Sequence, residues 1–328
     1  MSSKIRVITG LGTALVVGVM AICGLFGRPA AARAAVPTTA PEFAGITHWI
    51  NSPPLTMQGL RGKVVLIDFW AYSCINCLRT FPHVTRWYEK YKDDGLVIVG
   101  VHSPEFEFGK HLDNVKRAVK RFDIHYPVAM DSHMATWRAW NNRFWPAEYL
   151  VDRQGKVVLH HFGEGHYLEM ENAIRKQLGL PPTQHTETDL PNLAGIGSPE
   201  MYFGLAREQY MANDDSPSQT PHMYQAPESL PLNRFALQGL WKMTPQYAEL
   251  VNDHGEIRLH FKAGKLHMVA SSDKPVTLTI TVDGKRQPPV TVHASRLYTL
   301  YDSDDYRDHI ITIEIPHAGL RAFTFTFG

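Results

Sequence analysis

An α/β domain built on a mixed sheet with helices on both faces, followed by an all-β sandwich, is the fold class this sequence predicts. Three observations carry that expectation. Short apolar runs rich in β-branched residues alternate with helical patterns between residues 64 and 178. A Cys-x-x-Cys pair, Cys74 and Cys77, stands where the first such run meets the first helical pattern. From about Asn233 onward the apolar residues instead recur at every second position.

The elements follow in order. Lys4 and Arg6 precede an apolar stretch from Val7 to Phe26, and Ala32-Arg33-Ala34 offers a small-residue cleavage site, so residues 1–35 read as a signal peptide or an N-terminal anchor. Residues 36–43 form a tether. Val64–Trp70 is a buried-strand run broken by a single acid, Asp68. Leu78–Lys92 is helical, with Phe81, Val84, Trp87, Tyr88 and Tyr91 spaced for one apolar stripe, and Asp93-Asp94-Gly95 stops it. Leu96–Val101 is a second buried strand and Gly109–Phe122 a second helix. Tyr126–Met130 reads as a short strand and His133–Trp140 as a short helix. Ala147–Phe162 is a hairpin turning at Asp152-Arg153-Gln154-Gly155, and Leu168–Leu178 is a closing helix halted by Gly179 and Pro181-Pro182. Residues 36–182 thus form one domain.

Residues 183–232, rich in Pro, Ser, Asn and Asp, read as a linker, with Ser198–Gly204 packing on a neighbour. In residues 233–328, Ile257, Leu259 and Phe261 alternate with polar residues. So do Val276 to Val282, which run into an Asp283-Gly284 turn, as well as Ile311 to Ile315 and Phe323 to Phe327. Strands with one apolar and one polar face bury the apolar sides by packing two faces together.

Lys plus Arg number 33 against 32 for Asp plus Glu, which leaves no basic excess for a nucleic-acid partner. Beyond the leader the only cysteines are Cys74 and Cys77. Bridging them would close a tiny loop and constrain the unfolded chain little, so a structural role is a poor account. Zinc needs a second ligand pair and none follows; His160, His161 and His166 lack a fixed ligand spacing and read as surface residues. No metal and no cofactor is expected. Redox chemistry remains: the first thiol of such a pair sits at a helix start, where free N–H groups and the helix dipole favour a thiolate. Thiolates so placed have pKa values lowered to about 3.5–7.5.

Ile67-Asp68-Phe69-Trp70-Ala71 ahead of the cysteines, with Pro82 five residues after Cys77, resembles the thioredoxin family's active-site strand and helix. Arg61-Gly62-Lys63-Val64-Val65 is similar to the lead-in of TlpA-type and redoxin proteins. Cys74-Ile75-Asn76-Cys77, Gly100–Phe106 and Trp145-Pro146-Ala147-Glu148-Tyr149-Leu150 together resemble the periplasmic region of DipZ-type proteins, a thioredoxin-like domain followed by a β-rich one. The resemblance implies that Cys74 is the nucleophile, Cys77 the resolving thiol and their disulfide the redox group. It also implies that Asp68 carries the proton of Cys77, and that Pro146 is a cis-proline facing the pair. Trp70, Tyr72, Trp145 and Pro146 are expected to frame the substrate groove, Trp145 making it narrower or more apolar. Glu105 reaches either the site or solvent.

The expected protein is an exported thiol–disulfide oxidoreductase, periplasmic or otherwise extracytoplasmic, that reduces or exchanges disulfides of protein substrates. The uncharged Ile75-Asn76 pair adds no cation to stabilise the thiolate, as a strong oxidant would need. With one apolar segment in the sequence, its electrons are expected from a separate membrane donor. Two alternatives stand beside this. Trp241, Tyr247, Tyr298, Tyr301 and Tyr306 offer a glycan- or envelope-binding surface on the sandwich, and the redoxin-like lead-in offers a thiol peroxidase.

Overall fold

The computed structural model describes residues 36, 38–184 and 193–328, so the expected leader lies outside the described residues. The first domain comprises β1 (His48–Ile50), β2 (Val64–Trp70), α1 (Ile75–Tyr91), β3 (Leu96–His102), α2 (Leu112–Arg121), β4 (Val128–Met130), α3 (Ala135–Ala139), β5 (Ala147–Val151), β6 (Val157–Phe162) and α4 (Tyr167–Leu178). Its sheet has the order β1-β4-β3-β2-β5-β6, with β2, β3 and β4 parallel and the remaining neighbours antiparallel. The strand β1, unforeseen in the sequence, is only three residues long and carries no alternation to read.

All seven residues of β2 are buried, as its unbroken apolar run requires when both faces are covered. One face, through Val64, Leu66 and Trp70, meets Phe81, Val84 and Trp87 of α1, with Val119 of α2 and Ile174 of α4 in the same core. The other face, through Val65, Ile67 and Phe69, meets Trp137 of α3 and Trp140 after it.

The second domain contains β7 (Met201–Tyr202), β8 (His222–Tyr224), β9 (Arg234–Met243), β10 (Ala248–Leu250), β11 (Gly255–Lys262), β12 (Lys265–Ser271), β13 (Val276–Val282), β14 (Lys285–Arg286), β15 (Val290–Val292), β16 (Arg296–Asp302), β17 (Asp308–Ile315) and β18 (Arg321–Phe327). The two packed faces expected of a sandwich are halves of one antiparallel sheet, folded into a half-barrel over a common core. The fold runs through β9: residues 234–238 pair with β11 and residues 241–243 with β10. Gly239 lies between them at φ +106°, where a Cβ would come within 3.0 Å of the His254 carbonyl. Only glycine takes that corner without strain.

Within the stretch expected as a linker, β7 pairs with β18 and β8 with β9, and Phe203 and Tyr224 are fully buried in the sandwich core. Two- and three-residue strands among prolines and asparagines are too short to show a period. Lys265–Ser271 and Arg296–Asp302 were equally silent. The first is buried on both sides, because its sheet also packs against the first domain. Val269, Leu297 and Phe323 share a core with the residues under α1, and the Phe323 ring lies 5.1 Å from Phe106 and 4.9 Å from Phe108. Phe323→Ala is therefore expected to cost about 3–5 kcal/mol, read as a lower denaturant midpoint of the whole chain.

Candidate active site

Residues 71–74 turn the chain from the end of β2 into α1, and Cys74 is the residue that caps the helix. Its backbone is extended (φ −83°, ψ 114°), and its sulfur accepts the Cys77 N–H at 3.4 Å, in the position a serine or aspartate oxygen takes in an ordinary cap. The Cys74 thiol also donates weakly to the Trp145 carbonyl at 3.9 Å. Both cysteines are free, Cys77 fully buried and Cys74 partly exposed. The Trp145–Pro146 peptide is cis. Burial, with Cys74 and Asp68 adding to it, pushes the Cys77 thiol well above the usual range. Losing its proton therefore needs a nearby acceptor.

Beneath α1 lie two buried carboxyls. Asp68 of β2 and Glu148 of β5 are direct cross-strand partners, so both side chains leave the sheet on one face, about 4.5–5.5 Å apart at Cβ. It is the face that Leu66, Trp70 and Leu150 share with α1. Asp68 is 0% exposed and Glu148 2%, and none of their four carboxyl oxygens has a hydrogen-bond partner among the described residues. Burial raises Asp68 to about 7. Burial, and then the charge on Asp68, hold Glu148 well above its usual range. Glu148 was in view in the sequence as part of Trp145–Leu150. Its role was not, because only the β2–β5 register puts it beside Asp68.

A cavity of about 430 Å³ opens at Cys74. The first domain lines it with Asn76, Arg79, Glu105 and Trp145, the second with Glu200, Tyr202 and Phe327. Arg79 binds both oxygens of Glu164 (2.7 and 2.8 Å) and the Asn76 side chain (2.8 Å), and reaches the Phe327 carbonyl at 3.5 Å. Glu105 faces the site: it accepts from the Tyr202 hydroxyl at 2.8 Å and from Arg207 at 3.1 Å. The second domain's share in this wall was legible only in part: Ser198–Gly204, which holds Glu200 and Tyr202, read as a segment packing on a neighbour, but nothing in the sequence named the Cys74 cavity as the place.

The structure separates the four expected groove residues. Trp145 lines the cavity. Pro146 is buried behind it. Trp70 is fully buried, edge-on to Phe81 (5.1 Å) and His102 (4.8 Å), and so packs α1 onto the sheet. Tyr72 turns away to line a different cavity. Of the sandwich aromatics, Trp241 and Tyr298 are buried, and Tyr247 packs on Phe323 with ring centroids 5.1 Å apart. His161 bonds to the Glu164 carbonyl (3.1 Å) and His166 to Glu169 (2.9 Å).

Two family profiles match this chain: "Thioredoxin like C-terminal domain" over residues 198–328, and "AhpC/TSA family" over residues 36–160. Protein DipZ of Mycobacterium tuberculosis is 40% identical over 304 residues, which cover 88% of this chain and 43% of DipZ. The chain thus spans less than half the length of that relative. Thiol-disulfide oxidoreductase YkuV of Bacillus subtilis is 34% identical over 125 residues, 38% of this chain and 82% of YkuV. Thiol-disulfide oxidoreductase ResA of Bacillus cereus is 29% identical over 137 residues, 42% of this chain and 75% of ResA. With a helix-capping Cys-x-x-Cys on a mixed sheet, and a relative matched over most of its own length, this chain belongs to the thioredoxin-like thiol–disulfide oxidoreductases.

Proposed function

We propose that the protein is an exported dithiol enzyme that reduces or exchanges disulfides of protein substrates through Cys74 and Cys77. The observation that carries this reading is the cap itself: one sulfur at the mouth of a cavity, held by the N–H of the residue whose own sulfur is buried beside it. Cys74, as thiolate, attacks a substrate disulfide; one S–S bond breaks, a mixed disulfide forms and a substrate thiolate leaves. Cys77 then passes its proton to the Asp68–Glu148 pair and attacks the Cys74 sulfur. The Cys74–Cys77 bond forms, the second substrate thiolate leaves, and two electrons have passed from enzyme to substrate.

Reduction is favoured over oxidation because the guanidinium that shares the Cys74 cavity, Arg79, is already held by Glu164, and among the described residues that line the cavity no other Lys or Arg stands by the thiolate. The basic, apolar and small-residue pattern of residues 1–35 supports export, and a membrane donor is the source of electrons this reading assigns. The rival readings draw less from the site. Trp241 and Tyr298 are packed into the sandwich core and not presented to a sugar, and a thiol peroxidase is expected to carry a lone cysteine after a Thr-x-x motif, where this chain has Ser73-Cys74-Ile75-Asn76-Cys77. Reduction of insulin disulfides by the full chain, supplied with an external dithiol, is the direct test. Turnover no faster than the dithiol alone would remove the proposal.

A further inference from the structure

A second cavity, of about 450 Å³, lies on the other side of the active-site turn, between α2 and the loop leading into β16. Its size falls in the usual range for small-ligand sites, about 300–1,000 Å³. Three guanidiniums line it, Arg117 and Arg121 from one turn of α2 and Arg296 from the second domain, and no carboxylate does. Arg117 donates to the Asn114 side chain, Arg121 lies over the Phe122 ring at 5.3 Å, and Arg296 reaches only the Leu297 carbonyl (3.3 Å) and the Tyr298 ring (4.0 Å). Among the described residues none of the three makes an ion pair. Burial and the neighbouring Arg296 both act against the charge on Arg121.

Gathering like charges from two domains around a hollow is unfavourable unless an anion occupies it. An independent group points the same way. Tyr72 is only 5% exposed and lines this cavity; its hydroxyl has no partner at full hydrogen-bond geometry, and the Asn114 amide and Arg117 on the same wall are the polar groups that act on it. A buried hydroxyl left unmatched is costly, and one beside three guanidiniums is placed to donate to an anionic oxygen. Ala118, Phe122 and Ala294 supply apolar wall.

We propose that this cavity binds a phosphate monoester with an apolar or aromatic body. Guanidinium forks match phosphate oxygens two at a time, and a dianion answers three cations better than a carboxylate does. The Tyr72 hydroxyl completes the oxygen shell, while the body of the ligand rests on Ala118 and Phe122. The site is separate from the Cys74 cavity and does not depend on the redox reading.

Phenyl phosphate titrated calorimetrically into the full chain is expected to show saturable one-site binding, and phenol none. Arg121→Gln and Arg296→Gln should each weaken phenyl phosphate by about tenfold or more, whereas Arg138→Gln, on the exposed side of α3, should leave it unchanged. Thermal unfolding of each variant shows that it is folded. No saturable phenyl phosphate binding, equal binding of phenol, or wild-type affinity in both cavity variants would overturn the assignment. The comparison of phenyl phosphate with phenol decides on the wild-type chain alone.

Discussion

Cys74→Ser is expected to lower insulin reduction by at least about 10³-fold, to the level of the external dithiol alone. A serine oxygen still caps the helix but does not attack a disulfide, so the cap remains while the nucleophile is gone. Cys77→Ser should behave differently. Cys74 still reaches the cavity and attacks, but nothing resolves the product, so a substrate-linked mixed disulfide accumulates and is released by reducing agent. Non-reducing gels and intact mass distinguish the two variants. A Cys77→Ser enzyme that turns over like the wild type, or a Cys74→Ser enzyme that forms the adduct instead, would reverse the assigned roles.

The second large effect concerns the buried carboxyls. If Asp68 and Glu148 together accept the Cys77 proton, Asp68→Asn combined with Glu148→Gln should slow resolution of the mixed disulfide by about 10²-fold, the lower end for general base catalysis. The wild-type rate should rise as pH passes about 7, where Asp68 ionises. The double variant should lose that inflection and follow thiol ionisation at higher pH. Glu148→Gln alone should leave the inflection near 7, because burial and not the Glu148 charge raises Asp68, whereas Asp68→Asn alone should remove it. An inflection that survives in Asp68→Asn would take the proton away from Asp68.

The same pair makes a stability prediction of opposite sign. The Asp68 carboxyl is raised from 3.8 to about 7 on folding, so between those values the folded chain keeps a proton that the unfolded chain has lost. Stability must then fall as pH rises through that window. Asp68→Asn removes the penalty. It should leave stability unchanged near pH 4 and raise it by up to about 4 kcal/mol at pH 8, by denaturant unfolding at the two pH values. A variant that is slower yet more stable is the signature of strain kept for function.

The redox pair, its supporting strand and the β-α-β order were legible because each has a local cause: an unbroken apolar run, a helical stripe, two cysteines with nothing to staple. The alternating strands β11, β13, β17 and β18 were equally plain. Two kinds of information were not local. Glu148 reads as an ordinary residue until the register of β5 against β2 sets it opposite Asp68. Likewise Tyr202 reads as part of a linker until β7 joins β18 and brings its hydroxyl to Glu105 at the cavity wall. The burial of β12 on both faces hid its alternation for the same reason, since the partner that covers its outer face is more than a hundred residues earlier in the chain. Trp70 shows the converse. An aromatic beside a Cys pair suggested a groove, and strand periodicity turned it into the core.

The proposed activity rests on Cys74 and Cys77 cycling between dithiol and disulfide, and trapping them with a thiol-specific alkylating agent after equilibration across a series of thiol–disulfide buffers measures this directly. The account predicts one two-electron transition in which both sulfurs become unreactive together and the chain loses about 2 Da, with a tenfold change in equilibrium for every ~30 mV. Sulfurs that stay alkylatable at every potential, or that react independently of each other, would contradict it.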